Sequence, residues 1–186
     1  MKVALIVGHS LSDPGASNLR FKTNEFEFNS GLAIEIKKRF FEFNMVDEIE
    51  IVYRETNYAE LPAQVNKLNP DLIVSLHCNA FNTHVGGCEM LHYHKSTKGK
   101  EIARIFQNKI VNIIDNKDRG LKSCDSEDRG GYLLNMTKAP CIIAEPFFID
   151  NDDEYLDALE VMTSGKLVDG YCMAIHDSLT YLKGAE

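Results

Sequence analysis

Leu72-Ile73-Val74-Ser75-Leu76-His77 is the stretch whose reading decides the fold. It lies just after Asn69-Pro70-Asp71, and a short apolar run bounded by turn residues reads as a buried strand. Two other stretches have the same shape. Lys2-Val3-Ala4-Leu5-Ile6-Val7-Gly8 ends at His9, and Cys141-Ile142-Ile143-Ala144 ends at Glu145. In an open α/β sheet the strand ends are where ligands bind. With Glu25 near the start of the first helix, these ends supply two imidazoles and two carboxylates, a set that suits a zinc ion and a general base.

Between these runs, strand and helix patterns alternate. A polar loop over 10–23 precedes a helix with Phe28, Leu32, Ile36 and Phe40 spaced by four and Ala33 beside them. Glu50-Ile51-Val52-Tyr53 reads as a short strand, and 61–68 as a helix stopping before Asn69-Pro70. Cys88 to His94 alternates, which predicts a more exposed strand with Leu91 and Tyr93 inward and both His92 and His94 solvated. A helix follows over 97–114, carrying Ile102, Ile105, Phe106, Ile110 and Ile113. The polar, glycine-containing segment 115–131 reads as a mobile loop. Two helical stretches follow Asp152, the second with Leu167, Tyr171, Ile175 and Leu179. Such alternation predicts an α/β fold: one domain over 1–186, structured to about 182, with a twisted, mostly parallel mixed sheet of about six strands and helices on both faces.

Composition narrows the partners. The formal charge is −8 and the basic residues are scattered, which excludes nucleic acid, whose binding depends on neutralising phosphates. No run of 18 apolar residues exists, so no membrane insertion is expected. The first run has one basic residue and no small-residue cleavage site, and it reads as a strand rather than an export signal. Synthesis in the cytoplasm without a signal peptide is therefore expected. Five cysteines without a CxxC are expected to be free thiols formed in a reducing compartment.

Hydrolytic zinc sites take three protein ligands and leave one position for water. Capping bears on which glutamate of the first helix is available. Asn24 as N-cap puts Glu27 at the third helical position, able to reach back to the Asn24 backbone N–H, and leaves Glu25 at the first position, pointing away from the helix body. Each residue has a plainer reading. A histidine at a strand end is commonly just hydrogen-bonded, and Glu25 alone could be a first-turn carboxylate favoured by the helix dipole. Glu145 is harder to explain away, because a carboxylate following Cys-Ile-Ile-Ala is costly to bury unless paired. His92 and His94 share a strand face and are rival chelators, while His84 and His176 have no evident partner. Cys78 directly follows His77, but adjacent strand residues project to opposite faces, which disfavours a thiolate and imidazole couple.

These segments resemble the zinc-dependent N-acetylmuramoyl-L-alanine amidases of the amidase 3 type. The resemblance is carried by Val7-Gly8-His9-Ser10 with Asp13-Pro14-Gly15-Ala16, by Asn24-Glu25-Phe26-Glu27-Phe28-Asn29, by Ser75-Leu76-His77-Cys78-Asn79-Ala80, and by Glu145-Pro146-Phe147-Phe148-Ile149-Asp150-Asn151. Gly86-Gly87-Cys88-Glu89 and Arg119-Gly120-Leu121-Lys122 fall in the family's order, and coverage runs from residue 1 to about 180. The catalytic domains of phage endolysins acting on clostridia look most similar, through Gly8-His9-Ser10 in place of the commoner Gly-His-Gly and the pair Phe147-Phe148. The resemblance implies a twisted mixed sheet between helices, one Zn2+ per chain on His9, Glu25 and His77, and Glu145 as catalytic base. It also implies peptidoglycan as substrate, cut at the amide between N-acetylmuramic acid and L-alanine, with action at the cell wall after release through a phage holin. Asn79 and Arg54 are candidates for contacting substrate or orienting ligands. No wall-binding module is evident, so one would belong to a separate module or chain. Ser10 and Leu11 replace the family's usual glycines, and Pro146 stands where many members carry a small or polar residue. A zinc peptidase cutting within the stem peptide and a non-catalytic wall-binding module remain as alternatives.

Overall fold

The structure, a computed structural model, describes residues 1–43 and 48–184. In chain order its elements are β1 (Lys2–Val7), β2 (Ser17–Asn18), β3 (Thr23–Asn24), α1 (Glu25–Glu42), β4 (Glu48–Val52), a 3-10 turn (Tyr58–Glu60) and α2 (Leu61–Lys67). There follow β5 (Leu72–Leu76), β6 (Cys88–Tyr93), α3 (Thr97–Ile114), β7 (Asp118–Cys124), α4 (Gly131–Met136), β8 (Cys141–Glu145), α5 (Asp152–Thr163) and α6 (Lys166–Gly184). The main sheet has six strands in the order β4-β1-β5-β8-β6-β7, and β2 and β3 form a small antiparallel pair in the loop after β1.

The apolar runs become central strands because both their edges and both their faces are covered. β1 pairs in parallel with β4 and β5, placing Leu5 beside Ile51 and Val74, and β5 pairs in parallel with β8. Side chains then alternate between two cores, as a period of two requires. Val3, Leu5 and Val7 join the cluster that contains Phe28, Ile102 and Tyr171, so α1, α3 and α6 cover that face. Ala4 and Ile6 join Leu61, Val65, Leu133 and Leu134 on the face covered by α2 and α4. The chain leaves β1 through α1 to β4 on one side and returns through α2 to β5 on the other. The order reverses between β1 and β5, and His9 and His77 follow those two strand ends. A crevice at such a reversal is the usual ligand site of an open α/β sheet.

Two expectations are corrected. The segment 115–131 is not a mobile loop: it holds β7, parallel to β6 at the sheet edge, and the start of α4. An edge strand is paired on one side only and buries little, so Asp118-Arg119-Gly120-Leu121-Lys122-Ser123 carries no apolar alternation to announce it. Gly120, at φ 72°, sits by the register shift between Cys88 and Glu89, where a bulge takes up the irregularity. The second correction concerns β6, which is an interior strand between antiparallel β8 and parallel β7 rather than a half-exposed one. Leu91 faces the α2 and α4 core as expected, but Met90 faces the other core, beside Ile102 and Phe106 of α3. His92 is consequently buried, its Nδ1 3.0 Å from Tyr93 O, whereas His94 lies beyond the strand and is exposed as expected.

Candidate metal centre

The loop after β1 is shaped to aim His9. Gly8 N donates to Leu76 O (2.9 Å), tying this loop to the end of β5. A Cβ on Gly8 would stand 2.5 Å from Leu76 O and 2.6 Å from His77 Cε1, so only glycine lets the two strand ends approach with His77 in place. His9 itself adopts φ 66°, a left-handed conformation that costs a side-chain-bearing residue on the order of 1 kcal/mol. Its neighbours hold it there. Ser10 and Asp13 exchange backbone bonds of 3.0 and 3.1 Å, and Arg54 Nη2 reaches Ser10 Oγ at 3.1 Å and Asp13 Oδ2 at 2.8 Å. Gly15, at φ 78°, passes so close that a Cβ would lie 2.7 Å from both Glu25 Oε2 and His9 Cδ2.

Glu25 opens α1 as the capping argument expects, with Asn24 Oδ1 accepting from Glu27 N at 2.9 Å. The reciprocal bond, from Asn24 N to the Glu27 carboxylate, is not found among the described residues, and Glu27 is exposed. The Glu25 carboxylate is 1% exposed and fully engaged. Oε1 lies 2.8 Å from His77 Nδ1 and accepts from Cys78 N at 3.0 Å; Oε2 lies 3.3 Å from His9 Nε2 and accepts from Ala16 N at 3.2 Å. Burial alone would push the Glu25 carboxyl up, but hydrogen bonding to His77 and His9 and their charges outweigh it and hold it well below the usual carboxylate range. The His9 imidazole is raised in turn, first by its hydrogen bond to Glu25 and against the effect of burial.

One donor atom each from His9, Glu25 and His77 lies within 4.8 Å of the others. Bonds of about 2.0–2.1 Å in a tetrahedral zinc site put its ligand atoms roughly 3.4 Å apart, so a small inward adjustment would close this cluster on an ion. The chemistry fits too: two imidazoles and an ionised carboxylate form a hydrolytic zinc donor set, and His9 Nδ1 is buried without a hydrogen bond. Among the described residues no other group of three or more His, Cys, Asp or Glu side chains gathers in this way, and His84, His92, His94 and His176 stand outside it.

Glu145 ends β8, beside β5, and His77 N donates to Ala144 O at 3.0 Å. It is 2% exposed and does not belong to the three-residue cluster. Burial pushes its carboxyl above the ordinary value, opposed by the charges of Arg129 and His77. Glu145, His9 and His77 line one cavity of about 220 Å³, walled by Tyr58, Leu91 and Ile143 and bordered by Arg129. The cavity is thus apolar around a few convergent polar groups, the composition of a small-molecule or active site.

Arg129 and Tyr58 went unnoticed in the sequence because each sits in an irregular segment without periodicity; Arg129 Nη2 is 3.4 Å from Glu145 Oε1. Asn79 does not line this cavity. Its Nδ2 donates to Glu89 Oε1 at 2.8 Å, and its Oδ1 accepts from Ala80 N at 2.9 Å and from Arg129 Nη1 at 3.4 Å. Arg54 borders an adjoining cavity with His9, His77 and Tyr58.

The cysteines offer no rival nucleophile. All five are free and buried, and Asn29 Nδ2 donates to Cys78 Sγ at 3.6 Å. Burial pushes the Cys78 and Cys88 thiols far up, Cys124 to about 11, and Cys141 and Cys172 to about 12. A thiol-reactive dye should therefore label the native protein by less than about one equivalent, against all five sites after unfolding. Rapid labelling of Cys78 in the folded chain would reopen the cysteine reading.

Comparison with known proteins bears on the family and the fold. An uncharacterized cell wall amidase of Bacillus anthracis is 28% identical over 100 residues; the match takes in 48% of this chain and 18% of that protein, so the chain spans under a fifth of that relative's length. Among solved structures, an N-acetylmuramoyl-L-alanine amidase from Clostridium difficile 630 superposes with a TM-score of 0.82 at 21% identity, covering 96% of each chain, which shows a shared fold. The catalytic domain of CD27L endolysin, targeting Clostridia difficile, superposes with a TM-score of 0.76 at 26% identity, covering 97% of each chain. The family model described as N-acetylmuramoyl-L-alanine amidase matches residues 3–177, and with nearly the whole chain inside that match, the chain belongs to the N-acetylmuramoyl-L-alanine amidase family, Amidase_3.

Proposed function

We propose that this chain hydrolyses the amide between the lactyl group of N-acetylmuramic acid and L-alanine of peptidoglycan, with zinc held by His9, Glu25 and His77 and Glu145 as general base. The observation that carries the reading is a division of labour: the two imidazoles of a three-donor cluster, with the Glu25 carboxylate set between them, line one cavity together with Glu145, a separate buried carboxylate outside the cluster. When bound, zinc supplies Lewis acidity for the scissile carbonyl and makes water more acidic. His77 and His9 present their nitrogens at positions set by Gly8 and Gly15, and Glu25 closes the set from the helix start. Glu145 takes the proton of the attacking water and returns it to the departing alanine amine. Leu91 and Ile143 keep the cavity apolar, which strengthens electrostatic interactions within it. Arg54 acts on the loop that aims His9, and Asn79 acts through Arg129.

The likeness to an endolysin catalytic domain supports a lytic role on cell walls, where the enzyme would act after synthesis inside a host cell and release through a holin. The test is digestion of purified peptidoglycan with and without a chelator, reading new amino termini against reducing sugars. The expected result is chelator-sensitive appearance of alanine amino groups with no reducing sugars. New amino termini on residues other than that alanine would instead indicate a stem-peptide peptidase, and no release at all a binding module.

A further inference from the structure

Arg129 stands where two cavities meet. It borders the cavity of Glu145, and it also lines a neighbouring cavity of about 470 Å³ with Asn79, Phe81, Glu89, Arg119 and Phe148. In a chain of net charge −8 this neighbour is framed by cations. Arg119 Nε lies 2.6 Å and Lys122 Nζ 3.8 Å from the same Glu89 oxygen, so Glu89 is more than neutralised. Arg119 is further fixed with its guanidinium over the Phe148 ring at 5.0 Å.

Arg129 is held far more loosely. Its side chain is 62% exposed, and its contacts to Glu145 Oε1 and Asn79 Oδ1 are both 3.4 Å. A guanidinium serving only to neutralise a buried carboxylate would sit against it as a fork, with N to O distances of about 2.7–2.9 Å. The geometry here leaves the planar fork open to a second anion. Asn79 steadies it, because the bond from Asn79 Nδ2 to Glu89 turns Oδ1 toward Arg129.

The chemistry of the amide says where that anion would come from. On the acyl side, the lactyl carboxyl is itself consumed in the bond to be cut, so the nearest free carboxylate belongs to the amine side. An extended residue advances the chain about 3.3–3.6 Å. Arg129 lies 3.4 Å from the base, which places the recognised group within the first two residues beyond the scissile amide. We infer that Arg129 is a substrate-binding residue that selects a peptide carrying a free carboxylate on the amine side of the bond, with Asn79 as its positioning residue. This inference rests on the amidase reading above.

Two N-acetylmuramoyl dipeptides test it, identical except that the second residue bears a free carboxylate in one and the matching carboxamide in the other. The zinc-loaded protein should show kcat/KM about tenfold or more higher for the acid, the scale of one charge-assisted bond. In Arg129→Gln the preference should fall to about one, with zinc content unchanged, and Arg129→Lys should retain part of it. Equal turnover of both twins by the native protein, or an unchanged ratio in Arg129→Gln, overturns the subsite and leaves Arg129 acting on Glu145 alone. If neither twin is cut, the amidase reading fails instead. Calorimetric affinities of the native and Arg129→Gln proteins for the same twins then decide the carboxylate preference: a preference for the acid that Arg129→Gln abolishes supports the subsite, and its absence overturns it.

Discussion

Glu145→Ala is expected to lower kcat by about a hundred- to ten-thousandfold while the protein still binds one zinc per chain. The expectation follows from Glu145 lying in the same cavity as His9 and His77 but outside the donor cluster. Removing a ligand and removing a base are different injuries, and this variant should suffer only the second. Metal content by atomic emission and turnover of a soluble muramoyl peptide separate them. Loss of zinc along with activity would make Glu145 a ligand, and substantial residual turnover would remove it from the mechanism. Glu145→Gln, nearly isosteric, should behave as Glu145→Ala does, because what the reaction needs is a group that accepts a proton.

The second large effect is expected at Glu25. Glu25→Gln should weaken zinc binding by at least about a hundredfold, whereas Glu27→Gln, two positions on, should leave it unchanged. Glu25 accepts from Cys78 N through one oxygen and from Ala16 N through the other, and it faces both imidazoles. The amide NH2 introduced by the substitution would therefore meet a backbone donor in either orientation. That conflict is present without metal. Chelator-treated Glu25→Gln should therefore also lose about 1–3 kcal/mol of stability in urea, the range for a buried donor left without an acceptor. Glu27 is exposed and contributes only its backbone N–H to the Asn24 cap, so its substitution should stay within about 0.5 kcal/mol. Equal zinc affinity in Glu25→Gln and the native protein would break the proposed site.

Much of the fold was legible because its central strands are buried on both faces. Leu72 to Leu76 and Val3 to Val7 had to be apolar at every position or nearly so, and such runs declare themselves. The same logic failed at the sheet's far side. β7 is paired along one edge and needs no apolar pattern, so its polar sequence looked like a loop; β6 alternates, yet both its faces are covered because helices and two neighbouring strands enclose it. Neither fact is local. Each depends on which strands become neighbours, and strand order is not written in any one segment.

The candidate site divides along the same line. The sequence by itself determined which residues were available: histidines and a glutamate at the ends of apolar runs, and Glu25 distinguished from Glu27 by the Asn24 cap. Tertiary structure alone decided that β1 and β5 lie side by side at the reversal of strand order, which brings His9 to within reach of His77 across 68 residues of chain (77 minus 9). It also decided the surroundings that give those groups their chemistry, with Arg129 carried to Glu145 by the segment after β7 and Glu25 sealed behind Gly15. The physical reason is that residue type and local period are properties of neighbours in sequence. Burial, charge pairing and ligand geometry are properties of neighbours in space, and they exist only once the sheet has closed around the crevice.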